Sequence, residues 1–375
     1  MSAGAHAEDE RWMAEALTLG ARARGLTSPN PMVGAIVVQH GEAAGRGFHA
    51  RAGGPHAEIE AIRQAGDRAR GATLYVTLEP CNHTGRTPPC AEAIVAAGIG
   101  RVVAASTDPN PRVSGGGAEA LRRAGVDVRL GCLEADARAL NRVFFTAMER
   151  LRPHVTLKCA MTLDGKIAAF DRSSRWISGE PARREAHRFR SESDAIIVGI
   201  GTALADDPAL TVRTQPPWPR EPLRVVVDSR CRLPLTARLI ASGTPARAVV
   251  AVGDEAPAAR VEALASRGVT VLQCKSREGR VDVADLSARL FTLDVHGALL
   301  EGGSELSWAF LEAGLVDRVA VFIAPILLGG TGAPTPVGGR GWPLDAARRL
   351  RSVEVRRIGE DWLIEADVMR SGGNP

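Results

Sequence analysis

The chain has 375 residues and a mass of 39.6 kDa, a length for about two to three domains. Its 45% apolar and 24% charged residues exclude a disordered chain, a collagen-like chain and a small disulfide scaffold. A net charge of +4 and only fifteen aromatic residues argue against a nucleic-acid partner, which would ask for a basic face and stacking platforms.

In chain order, the apolar spacing predicts a helix over 9–24 and a hairpin of strands 33–39 and 43–48 around His40-Gly41. Helices at 56–65, 88–97, 115–124 and 134–148 then alternate with strands at 73–78, 101–106 and 126–129. This alternation predicts an α/β layered domain over residues 1–150. Pro153 marks the boundary, because the residue before a proline is pushed out of the helical region. A second α/β domain is expected over 151–375, with strands at 155–160, 195–199, 223–227, 248–252 and 298–300 and a helix at 181–191. Residues 206–222 are proline-rich and read as a loop; 319–328 and the alternations around Val353 and Leu363 read as closing strands. The charge-free run 319–339 holds Pro325, Pro334 and Pro336, so it reads as a strand and loop, not a membrane span. The first ten residues carry no basic region followed by an apolar one, so no export signal is expected and the cytoplasm is the expected location.

The chemistry of the first half sits in two short stretches. One is Pro55-His56-Ala57-Glu58; the other runs from Pro80-Cys81 to Pro88-Pro89-Cys90. His56, Cys81 and Cys90 offer one imidazole and two thiolates, a donor set that suits zinc, with a fourth position left for water. Zinc lowers the pKa of such a water, and Glu58, two residues from His56, is placed to move its proton without binding the metal. Pro88-Pro89 and Pro55 put Cys90 and His56 at helix N-termini, where the helix dipole favours a thiolate and an anionic centre. Alternatives stay open: a structural zinc with His49 or His83 as fourth ligand, or two buried cysteines with no metal. The spacing also departs from the usual zinc deaminase signature, since eight residues and not two separate the cysteines.

In the second half, Leu299-Leu300-Glu301-Gly302-Gly303-Ser304 reads as a strand entering a helix, with Ser304 as its cap. Val198-Gly199-Ile200-Gly201-Thr202 is a second glycine turn after a strand. Each is a plain tight turn or a phosphate cradle, and neither completes a dinucleotide fingerprint. Lys158 is one of only three lysines, so on a predicted strand it is either an edge charge or a chosen point charge.

Longer motifs carry a family resemblance. Ser28-Pro29-Asn30-Pro31-Met32-Val33-Gly34, Thr77-Leu78-Glu79-Pro80-Cys81 and Asp108-Pro109-Asn110-Pro111 resemble the deaminase half of the bifunctional riboflavin-biosynthesis deaminase–reductases. Residues 157–166, Arg175-Trp176-Ile177-Ser178, residues 204–213, Val227-Asp228-Ser229 and Glu301-Gly302-Gly303 resemble the reductase half. The resemblance implies a cytidine-deaminase-like three-layer α/β/α domain followed by a dihydrofolate-reductase-like α/β domain, with zinc and NADPH as cofactors. It implies hydrolytic loss of an amine from a phosphoribosylated pyrimidine, then reduction of its ribosyl group to ribityl. Asn30 would contact the base or ribose, or simply be an Asn-Pro turn. Ala160, Trp176, Thr202, Asp206, Ser229 and the Gly303 turn would touch NADPH; Ser174, Arg190, Leu210, Arg213 and Glu301 would hold substrate; Lys158 would lie beside the reacting sugar. The competing readings are a nucleic-acid or nucleoside deaminase with an appended binding domain, and a monofunctional reductase with a structural zinc module. A small-molecule substrate is expected, with no nucleic acid and no membrane, and homo-oligomerisation is left open.

Overall fold

The hairpin forms as expected, from β1 (Gly34–Gln39) and β2 (Glu42–Phe48), which turn at His40 and Gly41, both with positive φ. The computed structural model describes residues 3–82, 89–110, 114–241 and 247–370. The chain divides into two units, Met1–Leu151 and Arg152–Pro375.

In the first unit, α1 (Ala3–Ala21) precedes the hairpin, followed by α2 (Ala57–Ala65), β3 (Thr73–Val76), α3 (Cys90–Ala96), β4 (Arg101–Ala104), α4 (Gly116–Arg123), β5 (Asp127–Leu130), α5 (Glu134–Leu140) and α6 (Arg142–Arg150). The sheet order is β2-β1-β3-β4-β5, with the first two pairings antiparallel and the last two parallel. Alternation along the strands feeds two cores. Ala35, Val37, Leu74 and Val102 pack with Ala61, Ile94 and Leu121 of α2, α3 and α4. Ile36, Val38, Tyr75 and Val103 pack on the other face with Trp12, Met13 and Ala16 of α1 and Ala137 of α5. The result is the expected α/β/α three-layer unit. A Cβ on Gly47 would stand 2.3 Å from the Ala57 carbonyl and 2.6 Å from the Ala61 amide, so α2 lies on β2 at a distance that only glycine permits.

The helix expected over 134–148 is two helices. Asn141 leaves helical geometry because its side chain accepts from the Met32 amide (2.8 Å) and donates to the Met32 carbonyl (2.9 Å). The break thereby fixes the Asn30–Val33 segment.

The second unit comprises β6 (His154–Thr162), α7 (Glu180–Ser191), β7 (Ala195–Gly199), α8 (Ile200–Asp206), β8 (Leu223–Val227), α9 (Arg238–Ala241), β9 (Ala248–Val252), α10 (Ala258–Ala265), β10 (Thr270–Gln273), the short hairpin β11 (Ser276–Arg277) and β12 (Arg280–Val281), α11 (Val283–Thr292), β13 (Gly297–Leu300), α12 (Ser304–Glu312), β14 (Val316–Ala324), β15 (Leu350–Ile358) and β16 (Asp361–Val368). Nine strands form one sheet in the order β10-β9-β8-β7-β13-β6-β14-β16-β15. It is parallel from β10 to β14 and antiparallel at the β16 and β15 edge. Its parallel strands read as apolar runs because both faces are covered, one by α11 and α12 and the other by α8, α9 and α10. The strand expected over 319–328 ends at Ala324, since Pro325 has no amide for the ladder. Among the described residues no helix is long and apolar enough to cross a membrane.

Candidate active sites

In the first unit the sheet delivers three donors to one point. His56 is the N-cap of α2, Cys90 opens α3 behind Pro89, and Cys81 lies in the segment after β3. The His56 Nδ1 is 3.1 Å from the Cys90 sulfur and 3.7 Å from the Cys81 sulfur, and all three donor atoms lie within 4.8 Å of one another. Nitrogen and sulfur ligands of a tetrahedral zinc stand about 3.5 Å apart, given Zn–N near 2.0 Å and Zn–S near 2.3 Å, so these residues fit that ion. The α3 N-terminus aims at the same point: the Cys90 amide donates to the Cys81 sulfur at 3.4 Å, and the Ala91 amide to the Cys81 carbonyl at 3.1 Å.

The electrostatics agree. A hydrogen bond from Cys90 and another from His56 outweigh burial and hold the Cys81 thiol at about 4, while Cys90, which supplies the shared proton, is pushed up. His56 is raised, chiefly by its bond to Cys81. A cation at this point would take the place of the shared proton. Glu58 is 4% exposed, and burial raises its carboxyl above the usual range.

A cavity of about 190 Å³ opens beside these groups, lined by Asn30, His49, Glu58, Glu79, Asp108 and Asn110 among others. His49 is not in the donor cluster. Its Nδ1 faces the Pro55 carbonyl at 2.9 Å, its Nε2 meets the Asn30 amide nitrogen at 3.2 Å, and its ring stands edge-on to His56. His83 lies outside the described residues. Two residues given no role by sequence reasoning support the site. Glu79, buried, accepts from the amides of Asp108 (3.3 Å), Gly115 (2.9 Å) and Ala118 (3.0 Å), and so holds the loop that carries Asn110. Asn141 fixes the Asn30 loop from the other side.

The second unit has a larger crevice, about 1240 Å³, across the carboxyl ends of its parallel strands. Of the sequence-predicted residues, Thr202, Asp206, Ser229, Gly303 and Ser174 line it, and Ser174 donates to Asp206 at 3.4 Å. Gly199 and Gly303 are the N-caps of α8 and α12, and neither helix has a side-chain cap. Ser304 is the first helical residue and not the cap; its hydroxyl bonds the Thr335 carbonyl instead. The first amides of both helices are therefore left for a ligand, and a Cβ on Gly201 would meet nothing within 4 Å. That cradle fits the pyrophosphate of a dinucleotide.

Lys158, Arg190, Arg213 and Glu301 form a second cluster. Arg190 clamps Glu301 through two bonds of 2.7 and 2.9 Å and also donates to the Thr211 carbonyl at 3.1 Å. Burial pushes the Glu301 carboxyl up, but Arg190 and Lys158 overcome it and hold the group at about 2. Arg213 rests on His187, its backbone amide 3.1 Å from Nδ1 and its Nε 3.2 Å from Nε2. Burial and the two arginines depress His187 to about 4, so this ring is neutral. Sequence reasoning missed His187, which only the α7 packing brings here. Ala160 and Trp176 lie outside the crevice lining: Ala160 packs near Phe322, and Trp176 is 66% exposed with Arg183 4.6 Å from its ring. Leu210 is 2% exposed and packs in the core between β7, β8 and β9.

These two sites define the class: a hydrolytic zinc deaminase joined to a nucleotide-dependent oxidoreductase. Residues 6–106 match the cytidine and deoxycytidylate deaminase zinc-binding region, and residues 153–364 match the RibD C-terminal domain. The chain is 44% identical to the riboflavin biosynthesis protein RibD of Actinobacillus pleuropneumoniae over 95% of this chain and 94% of that one. Its fold matches Acinetobacter baumannii RibD (form 1) with a TM-score of 0.87 at 39% identity, covering 97% and 100% of the two chains. It matches a diaminohydroxyphosphoribosylaminopyrimidine deaminase/5-amino-6-(5-phosphoribosylamino)uracil reductase of Thermotoga maritima with a TM-score of 0.83 at 34% identity, with the same coverage. The chain belongs to the RibD family of riboflavin biosynthesis, bifunctional enzymes with a zinc deaminase domain and an NADPH-dependent reductase domain.

Proposed function

We propose that residues 1–150 deaminate 2,5-diamino-6-ribosylamino-4(3H)-pyrimidinone 5′-phosphate, and that residues 151–375 reduce the ribosyl group of the product to ribityl. The observation that carries the first step is the buried Glu58 carboxylate beside three convergent donors. His56, Cys81 and Cys90 would hold zinc, which when bound would supply a Lewis acid that makes water acidic near neutral pH. Glu58, its carboxyl raised by burial, would take one proton from water as the water oxygen adds to the amine-bearing ring carbon and pass it to the ring nitrogen; the second proton, from the new hydroxyl, would leave with the amine as ammonia. Asn30, fixed through His49 and the Asn141 clamp, orients the base or ribose.

In the second unit, Thr202, Asp206, Ser229 and the Gly303 turn would hold NADPH, which when bound would supply the hydride; the family resemblance adds Ala160 and Trp176, which lie outside the crevice lining. Lys158 would be the charged group beside the reacting sugar, and its ammonium helps to keep the Glu301 carboxyl ionised. Arg213 takes the substrate phosphate, since it has no carboxylate partner among the described residues. Arg190 shapes that site through Glu301; Ser174, in the crevice lining and bonded to Asp206, would meet the substrate there, and Leu210 would act from the core behind it. A small molecule, not nucleic acid, is the partner, in keeping with the +4 charge and the few aromatic residues. A reducing, cytoplasmic location suits a centre built on two free thiols.

The test supplies the diamino compound with and without NADPH, following ammonia release and nicotinamide absorbance. Ammonia is expected in both cases and NADPH loss only after it. Residues 153–375 alone are expected to reduce the deaminated compound and to leave the diamino compound untouched. A soluble fragment that cannot turn over the deaminated compound overturns the division of labour.

A further inference from the structure

The crevice of the second unit has an order that follows from the sheet. Strands β6, β13, β7 and β8 are consecutive neighbours, and the cavity wall takes residues from beyond the carboxyl end of each. Ile167 and Ala168 follow β6, Gly303 and Ser304 follow β13, Ile200 to Thr202 follow β7, and Ser229, Arg230 and Arg232 follow β8. Neighbouring strands are about 4.8 Å apart, so this row spans about 15 Å. The Lys158–Glu301 cluster belongs to the β6 and β13 end. The uncapped N-terminus of α12 and the Gly199-Ile200-Gly201 turn occupy the middle. A dinucleotide with its pyrophosphate in the middle and its reacting ring at the β6 end places its adenosine beyond β8.

That far end is built from the turn after β8 and the β11–β12 hairpin, whose tip residues Glu278 and Gly279 also line the cavity. The two pieces are joined: the Ser229 hydroxyl accepts from the Val281 amide at 2.9 Å, which leaves its proton to donate. Three arginines face this end, and they are not equivalent. Arg280 is answered by Glu305 at 3.2 Å. Arg232 reaches only the buried Asp228, at a long 3.8 Å. Arg230 is exposed and has no carboxylate partner among the described residues. Two under-paired guanidinium groups that follow a hydroxyl in sequence, at the adenosine end, suit a phosphate dianion.

We propose that the Ser229–Arg232 turn is the element that selects NADPH over NADH, with Arg230 and Arg232 binding the 2′-phosphate of the adenosine ribose. This rests on the reading of the crevice as the NADPH site. Among the described residues that line the row, the other cations are Arg280, answered by Glu305, and Lys166 and Arg172, which belong to the β6 side.

The experiment is calorimetric titration of the full-length protein with 2′,5′-ADP and with 5′-AMP. The wild type is expected to bind 2′,5′-ADP at least about ten-fold more tightly than 5′-AMP, the scale of one or two charge-assisted phosphate bonds. In R230Q/R232Q that advantage is expected to fall to about two-fold or less with 5′-AMP affinity nearly unchanged, and R230Q alone to lie between, as the bonds are lost one at a time. The ratio of kcat/KM for NADPH over NADH is expected to fall in parallel. Retention of the full preference in the double variant overturns the proposal, as does equal loss of both nucleotides in R230Q. If wild type binds neither nucleotide and does not bind NADPH in the same titration, the crevice reading itself fails, a result distinct from the loss of preference alone.

Discussion

The two sites of this chain are made in opposite ways. The first is local in chemistry: three donor atoms and one carboxylate from two helix starts and one loop, all before residue 91 and within a few ångströms. The second is distributed: Lys158, His187, Arg190, Arg213 and Glu301 come from β6, α7, a loop and the end of β13, and they meet only because a nine-stranded sheet aligns its strand ends. A metal-type site is set by donor identity, so one change abolishes it. A charge-cluster site is set by mutual pairing, so one change re-partitions it.

That contrast has measurable consequences. The largest effect is expected from Cys90→Ser, which should lose both zinc and deamination, while reduction of the deaminated compound stays near wild type. Metal analysis alongside the two activities checks this, and loss of both activities would erase the distinction between the sites. Next comes Glu58→Gln. About one zinc per chain should remain while deamination falls by about two to four orders of magnitude, the usual worth of a general acid–base group. Loss of zinc would instead make Glu58 a ligand.

Smaller changes are expected in the distributed site. Arg213→Ala should raise the KM for substrate about 10- to 100-fold, equivalent to about 1.5–3 kcal/mol, with NADPH affinity nearly unchanged. A fall in NADPH affinity would assign this arginine to the cofactor. The smallest effect concerns His187, depressed from 6.5 to about 4. Between those values the unfolded chain binds a proton that the folded chain refuses, so stability rises with pH across that window and is lost on acidification from about 6.5 to about 4. His187→Asn should flatten the melting temperature over that range; an unchanged slope would mean that other groups set it.

What the sequence disclosed follows the same division. Both alternating units and the boundary near Pro153 were legible, because apolar period and proline punctuation are local. His56, Cys81, Cys90 and Glu58 were legible because donor chemistry and helix-start prolines are written side by side. Asn141 was not: its bonds to Met32 span more than a hundred residues, and nothing nearby marks it as a helix breaker. His187 was hidden for the same reason, one of many polar residues on a charged helix until packing sets it against Arg213. The Ser304 cap went wrong because Gly303 took the cap position and the hydroxyl found the Thr335 carbonyl instead.

Gly47 carries a consequence for anyone reading alleles of this gene. It sits on β2 and is not one of the three donors, yet a single methyl there would collide with the Ala57 carbonyl of the helix that bears Glu58 and is capped by His56. A collection of pathway-blocked mutants sorted by complementation would therefore place a change at 47 with changes at the zinc donors, although the residue touches none of them. The genetic boundary of the first site is wider than its chemical boundary, by the thickness of one helix resting on one strand.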